Sequence, residues 1–326
     1  MMERTDRHCR YLLRLAAPHA WLYSEMITAA ALLRGDRDRF LEFHAREHPV
    51  ALQLGGGDPD ALAQAARFGA AAGYDEINLN VGCPSERVKA GCFGAALMLD
   101  ADRVARAVAA MRDAVGVPVT VKTRLGVDDH DSYEFLTAFA ARVAAAGCST
   151  LIVHARKAWL KGLSPKQNRD IPPLDYRRVH RLKQDFPALE IVTNGGLTSI
   201  DTTLEQLRHV DGVMLGRAAY HDPMLLAELD ARMFAASAPA LLEILDDYLA
   251  YVEAQLHKGT PLKRMTRHLS GLFTGRRGSK AWRRELALLS DGFAGLRRLE
   301  QLLAERRDGV VLQARESPRV SVQAGV

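Results

Sequence analysis

Residues 80–85 read NVGCPS at the end of an apolar run. The glycine and proline make a tight turn and set a thiol, Cys83, where a strand would deliver it to an open pocket. Few structural roles need a cysteine there, whereas a thiol that donates or accepts a proton on a bound substrate does. Other strand ends carry further candidates. Lys122 stands at the end of VTVKT, His154 in LIVHAR and Gln53 in VALQL. Lys122 fits a stem lying along apolar surface, a Schiff-base nucleophile, or a cation beside an electron-rich ring. His154 fits a satisfied core histidine or a catalyst, and a place facing Lys122 across a pocket favours the catalyst. The Gln53 amide can both donate and accept toward a planar heterocycle. Farther on, IVTNGG (191–196) leads to Thr198 and Ser199 at a helix start, and GVMLGR (212–217) follows. Gly195, Gly196 and Gly216 let backbone approach a ligand, and Arg217 adds charge. Each glycine group alone also makes an ordinary turn. Together, at consecutive strand ends, they favour a phosphorylated cofactor.

The elements that must position these residues alternate. Short runs rich in Val, Ile and Leu predict strands over 21–26, 50–54, 76–81, 119–123, 151–154, 191–194 and 212–215. Helical patterns fall between them, over 60–72, 102–115, 133–146 and 200–209, and a helix over 5–15 opens the chain with Thr5 as its N-cap. Alternating strand and helix implies a parallel sheet covered by helices, and a TIM-type (β/α)8 barrel fits best. Seven strands are found where that barrel needs eight, so its first strand is apparently missing; the segment 30–48 is too charged to supply it. The loop 155–174 is long for such a barrel and basic, with Arg156, Lys157, Lys161, Lys166 and Arg169, as a binding loop over the barrel mouth would be. After a small-residue linker at 235–239 the pattern becomes helical, over 241–256, 262–273, 280–290 and 296–306. The expected division is a barrel over 1–236, a small all-helical C-terminal domain over 240–307, and a disordered tail over 308–326.

With 48% hydrophobic residues the chain can build a large core, and its 25% of charged residues suit a globular protein. No apolar run is long enough to span a bilayer, which argues against membrane insertion. The start MMERTDRHCR has no signal-peptide core, and a cytoplasmic protein is expected. Cys9, Cys83, Cys92 and Cys148 show no metal-ligand spacing, so no metal site is expected, and disulfides do not suit that compartment. The net charge of +5 is unevenly spread: from 257 to 284 there are nine Lys/Arg and no acid. Such a run is either a solvated face or a surface that neutralises phosphates. Trp282 and Phe273 among these charges fit a surface that meets nucleic acid.

These residues resemble the tRNA-dihydrouridine synthases, and specifically their A subfamily. The matching strings are TDRHCR (5–10), ALQLGG (51–56), DEINLNVGCPS (75–85), VKTRLG (121–126), HARKAWLKGLSPKQNR (154–169), IPPL (171–174), NGG (194–196) and WRR (282–284). The similarity runs from about residue 5 to about residue 286. It implies FMN-dependent reduction of the C5–C6 bond of uridine to 5,6-dihydrouridine in the tRNA D-loop, at positions 20 and 20a, with NADPH as reductant and tRNA as partner. Hydride would pass from the flavin N5 to C6. Cys83 would protonate C5, as an ordinary thiol near pKa 8.5 is mostly protonated at neutrality. Met1, Gln53, Lys122, His154, Asn194, Gly195, Gly196, Gly216 and Arg217 would hold FMN. Asn80, Lys166, Arg169, Lys280 and Arg283 would contact tRNA, whose target base must leave its stack.

The family opens with a strand ending in Ala-Pro-Met that lines the flavin. Here only Met1 matches its end, which implies a start placed downstream of the true one or weak FMN binding. Arg4 stands where the family usually has tryptophan, and Lys280 where it usually has arginine, which keeps the charge but loses bidentate geometry. Three other readings compete: a flavin barrel acting on a free pyrimidine, like the dihydroorotate dehydrogenases; a tRNA-binding protein without activity; and a lysine Schiff-base aldolase. The first needs neither the basic helical region nor the long basic loop, and the last leaves Cys83 unexplained.

Overall fold

The computed structural model describes residues 1–85 and 93–315 of the chain. They fall into two compact units, divided between Ala238 and Pro239. Among the described residues the first unit holds one parallel sheet of seven strands, each paired to its neighbour in sequence: β1 (Leu22–Thr28), β2 (Val50–Gly55), β3 (Glu76–Asn80), β4 (Val119–Arg124), β5 (Thr150–His154), β6 (Glu190–Asn194) and β7 (Gly212–Met214). All seven expected strands form, with ends moved by at most two residues. The sheet curls as a TIM-type barrel does, and helices cover it: α1 (Arg7–Ala16), α2 (Ala29–Arg34), α3 (Arg37–Leu41), α4 (Pro59–Ala71), α5 (Ala101–Ala114), α6 (Tyr133–Ala145), α7 (Tyr176–Asp185), α8 (Ile200–Leu207), α9 (Arg217–His221) and α10 (Pro223–Met233). The charged segment 30–48 is helical, in α2, α3 and a 3-10 turn at Ala45–Glu47, as its composition required.

Short side chains let the helices sit close to the sheet. Asp58 caps α4 by accepting from the Ala61 N–H, and Pro59 occupies the first turn. Gly69 of α4 lies so near that a Cβ there would come within 2.4 Å of Leu52 and 2.8 Å of Ile77. One cap differs from expectation. Asp6, not Thr5, caps α1 by accepting from the Cys9 N–H at 2.9 Å. The Thr5 hydroxyl instead accepts from the Met1 amino group at 2.6 Å and donates to the Met1 carbonyl, so it is already committed.

β2 to β5 are buried on both faces, yet β3 and β4 are polar at every second position. Glu76, Asn78 and Asn80 alternate with Ile77 and Leu79, and Thr120, Lys122 and Arg124 alternate with Val119, Val121 and Thr123. One face carries the apolar contact with the helices, and the other fills the barrel with hydrogen-bonding groups.

The second unit contains α11 (Leu241–His257), α12 (Leu262–Thr266) running into a 3-10 turn at Arg267–Gly271, α13 (Ser279–Leu288) and α14 (Gly292–Arg315). Its core corrects one expectation: Trp282 (0% exposed) and Phe273 (3%) are interior residues, not a surface for nucleic acid. Their rings pack at 4.8 Å, and the Trp282 indole N–H donates to the Leu269 carbonyl at 2.8 Å. The basic residues around them, Lys280, Arg283 and Arg284 among them, reach solvent, because burying those two rings is what this small unit needs for a core. The helix α14 runs on to Arg315, into the stretch expected as a disordered tail, and the remainder of that tail lies outside the described residues. Among the described residues no helix is long and apolar enough to cross a membrane, and no group of His, Cys, Asp and Glu is arranged to hold a metal ion.

Candidate active site

Parallel strands bring their C-terminal ends to one rim, and the register sets the neighbours there: Asn80 beside Lys122, Arg124 beside His154, and His154 beside Asn194. Cys83 follows β3 on its turn and is half-buried. The turn is built by Asn80, whose Oδ1 accepts from the Gly82 N–H at 3.1 Å and the Cys83 N–H at 3.0 Å. The thiol itself lies 3.5 Å from the Ser85 hydroxyl. The Cys83 carbonyl accepts from the Ala95 N–H at 2.9 Å, which ties the far side of the turn to the 3-10 segment Gly94–Leu99.

Arg124 is the residue that motif reading missed. Its Nε donates to the Gly82 carbonyl at 3.0 Å, and its Nη1 donates to the carbonyls of Lys157 (3.1 Å) and Asn168 (2.9 Å). One guanidinium therefore fastens the cysteine turn to the long loop. The signal was present in the sequence as a charged residue at an alternate, inward position of VTVKTR. The loop has its own frame: Asn168 is buried, donates to the carbonyls of Trp159 and Leu163, and accepts from the Trp159 N–H at 2.7 Å.

Across the rim, the Lys122 ammonium donates to Asn194 Oδ1 at 2.9 Å, and the Asn194 amide donates to the Met214 carbonyl at 2.7 Å. Burial, then the Arg124 guanidinium, lower the Lys122 ammonium to about 7. His154 is 8% exposed and held neutral, well below its ordinary range, by burial and by the cations of Arg124, Lys122, Arg156 and Arg217. Gly195 lies directly against its ring: a Cβ there would stand 2.2 Å from His154 Cδ2, and φ is +102°. Gly196 also has positive φ and is crowded by Leu174 and the Tyr176 hydroxyl, which donates to the Gly195 carbonyl at 2.5 Å. These two positions exclude a side chain on both grounds.

The rim is a place for an anion. Lys122, Arg124, Arg156, Arg169 and Arg217 interact electrostatically there, and among the described residues Asp170 is the carboxylate that balances them directly, paired with Arg217 at 2.8 Å. Arg156 Nε is a buried donor with no partner. The backbone at Gly195, Gly196 and Gly216 bears no side chain that would stand between it and a ligand. Beyond Gly216 the space is open apart from Met1, whose sulfur would stand 3.5 Å from an added Cβ. An unmet donor, open backbone and clustered cations form a cradle suited to a phosphate group.

Of the residues singled out by sequence, Met1, Gln53, Asn80, Cys83, Lys122, His154, Asn194, Gly195, Gly196, Gly216, Arg169 and Arg217 belong to this rim. Lys166 is exposed at the start of the 3-10 turn Gln167–Arg169 on the long loop. Lys280 and Arg283 are exposed on α13 of the second unit, on either side of the buried Trp282.

A sequence model described as "Dihydrouridine synthase (Dus)" matches residues 1–306. A protein of Xanthomonas campestris pv. campestris named tRNA-dihydrouridine(20/20a) synthase is 55% identical over 287 residues, covering 88% of this chain and 86% of that one. Proteins of the same name are 52% identical over 309 residues in Vibrio cholerae, covering 94% of each chain, and 53% identical over 290 residues in Escherichia coli K12, covering 88% and 84%. Among solved structures, a complex of 2-naphthoyl-CoA reductase with 2-naphthoyl-CoA superposes with a TM-score of 0.54 at 12% identity. The match covers 71% of this chain and 47% of that chain, and it is a likeness of fold.

Proposed function

Since this chain belongs to the dihydrouridine synthase family, among the relatives named tRNA-dihydrouridine(20/20a) synthase, and is an oxidoreductase, we propose that it reduces uridine to 5,6-dihydrouridine in the D-loop of tRNA, at positions 20 and 20a, with FMN and NADPH. The observation that carries the proposal is a thiol turn, held by Asn80 and Arg124, at the edge of a cation-lined rim with an unmet donor. The residues fit FMN: Gly195, Gly196, Gly216, Arg156 and Arg217 would take its phosphate, and Gln53, Lys122, His154, Asn194 and Met1 its ring system. When bound, FMN recharged by NADPH supplies a hydride to C6 of the uracil ring.

The chain's own residues do the rest. Cys83 donates the proton that C5 needs, from the ring face opposite the hydride, and must be reprotonated from solvent. Asn80 fixes the turn on which the thiol rides. Lys122, cationic once an anion is near, offsets negative charge that develops beside it. Neutral His154 is able to donate or accept one hydrogen bond without adding to the local charge. Asn80, Lys166 and Arg169 hold the RNA near the rim, and the helical unit over 240–307 grips tRNA through Lys280 and Arg283 while the barrel over 1–236 holds the cofactor. The protein would act in the cytoplasm.

Cys83→Ala tests this reading. It is expected to lower dihydrouridine formation by about 10²- to 10⁴-fold, the usual worth of a positioned proton donor. Reduction of the bound flavin by NADPH should be unchanged, followed by loss of its visible absorbance. Equal turnover of tRNA by that variant would remove Cys83 from the mechanism.

A further inference from the structure

The barrel interior contains a row of hydrogen bonds that runs in one direction only. Its upper end is the Asn80 Oδ1, which accepts from two backbone N–H groups that cannot turn away. The Asn80 Nδ2 must therefore point at Gln53, and it donates to Oε1 at 2.8 Å. That choice sends the Gln53 Nε2 to Asn78 Oδ1 at 2.9 Å. Asn78 Nδ2 in turn donates to the Thr120 hydroxyl at 2.7 Å. Having accepted, Thr120 spends its one proton on Glu76 Oε1 at 2.5 Å. Tyr23 donates to the other Glu76 oxygen at 3.3 Å. A backbone donor pair at the top and a carboxylate at the bottom leave a single consistent sense for three amides that could otherwise flip.

We propose that Glu76, Thr120 and Asn78 are positioning residues that hold the amide polarity of Gln53 from below, while Asn80, set by the Gly82 and Cys83 N–H groups, holds it from above. The lock has a chemical consequence. Each amide gives its oxygen and one N–H to the row, so Gln53 (8% exposed) and Asn80 (9%) have only their second N–H left for whatever occupies the rim. Donors there select ring edges that carry carbonyl oxygens, as uracil and isoalloxazine rings both do. A flipped amide would set oxygen against oxygen. The three positioning residues themselves touch neither ring: Asn78 is 0% exposed, Thr120 1% and Glu76 6%. This inference rests on the proposed function for the identity of the ligands, but not for the row itself.

The test is Thr120→Val, which keeps volume and removes both hydrogen-bonding roles. Asn78→Asp, which puts an acceptor where Thr120 needs a donor, is the second variant should the first unfold. Three readouts apply. In the ligand-free protein, the side-chain amide protons of Gln53 should be protected from exchange by NMR, and either variant should lose that protection while those of Asn80 keep it. FMN affinity and kcat should each fall about two- to tenfold, the worth of a neutral hydrogen bond, while KM for tRNA stays put. Thr120→Ser should restore all three. The proposal is overturned if the variants keep the Gln53 amide protected with unchanged FMN affinity and kcat, or if Thr120→Ser falls as far as Thr120→Val, which would point to packing alone. A wild-type protein that neither binds FMN nor reduces uridine would sink the functional reading and leave the amide exchange to judge the row.

Discussion

Lys122 is the residue whose chemistry depends most on what lies beside it. A lysine whose folded pKa is about 7, against an ordinary 10.5, binds fewer protons in the folded chain than in the unfolded one between those values. Stability therefore rises with pH across that window, and the cost of holding the charge is complete below about 7. Lys122→Gln is expected to raise the Tm of the ligand-free protein at pH 6 and to lose that advantage near pH 10; thermal unfolding at both values checks it. Lys122 itself was legible as a polar residue ending an apolar strand, as were Cys83, His154 and Gln53. Arg124, Glu76 and Thr120 were not singled out, because their partners lie far along the chain: Thr120 bonds Glu76 from 44 residues away, and Arg124 bonds Gly82 from 42. The alternation of polar residues in EINLN and VTVKTR carried the information that they point inward, but not what they meet. Trp282 was misread for the converse reason, since its neighbours in sequence are charged and its neighbours in space are not.

At the level of elements, apolar runs bounded by turns located the seven described strands, most plainly β2 to β5, because a strand buried on both faces has little freedom in composition. Ends were less legible. Thr5 and Asp6 are both good caps, and only the contact between Thr5 and Met1 decides between them. The start of α14 was placed four residues late, since nothing local reveals that Asp291 accepts from both the Gly292 and the Leu262 N–H groups. Connections between elements also rest on single side chains. Arg14, near the end of α1, donates to the carbonyls of Ala17, Pro18, Ala20, Glu47 and Pro49, and so joins α1 to the entries of β1 and β2. Arg14→Leu strands several carbonyls in a poorly solvated place. At about 1–3 kcal/mol for each buried group left unmet, a loss of about 3 kcal/mol or more is expected, read as a lower urea midpoint.

On the scale of the whole molecule, the chain pairs a barrel with a helical unit, and composition announced both: βα alternation for one, a basic helical stretch for the other. The charge of that stretch is usable because its aromatic residues are inside and Lys280 and Arg283 are outside. If these two side chains neutralise tRNA phosphates, Lys280→Ala and Arg283→Ala should each weaken tRNA binding and flatten the dependence of log K on log salt by about one. FMN affinity should not change. Filter binding across a salt series, beside a flavin titration, measures both.

Arg124 grips three carbonyls, one in the thiol turn and two in the basic loop. Neither wall can swing outward on its own without stripping a buried cation of its acceptors. Opening is thus a joint event, and a guest large enough to part the walls must part them together; on the proposed function, admission of the RNA would then also move the turn that carries the thiol.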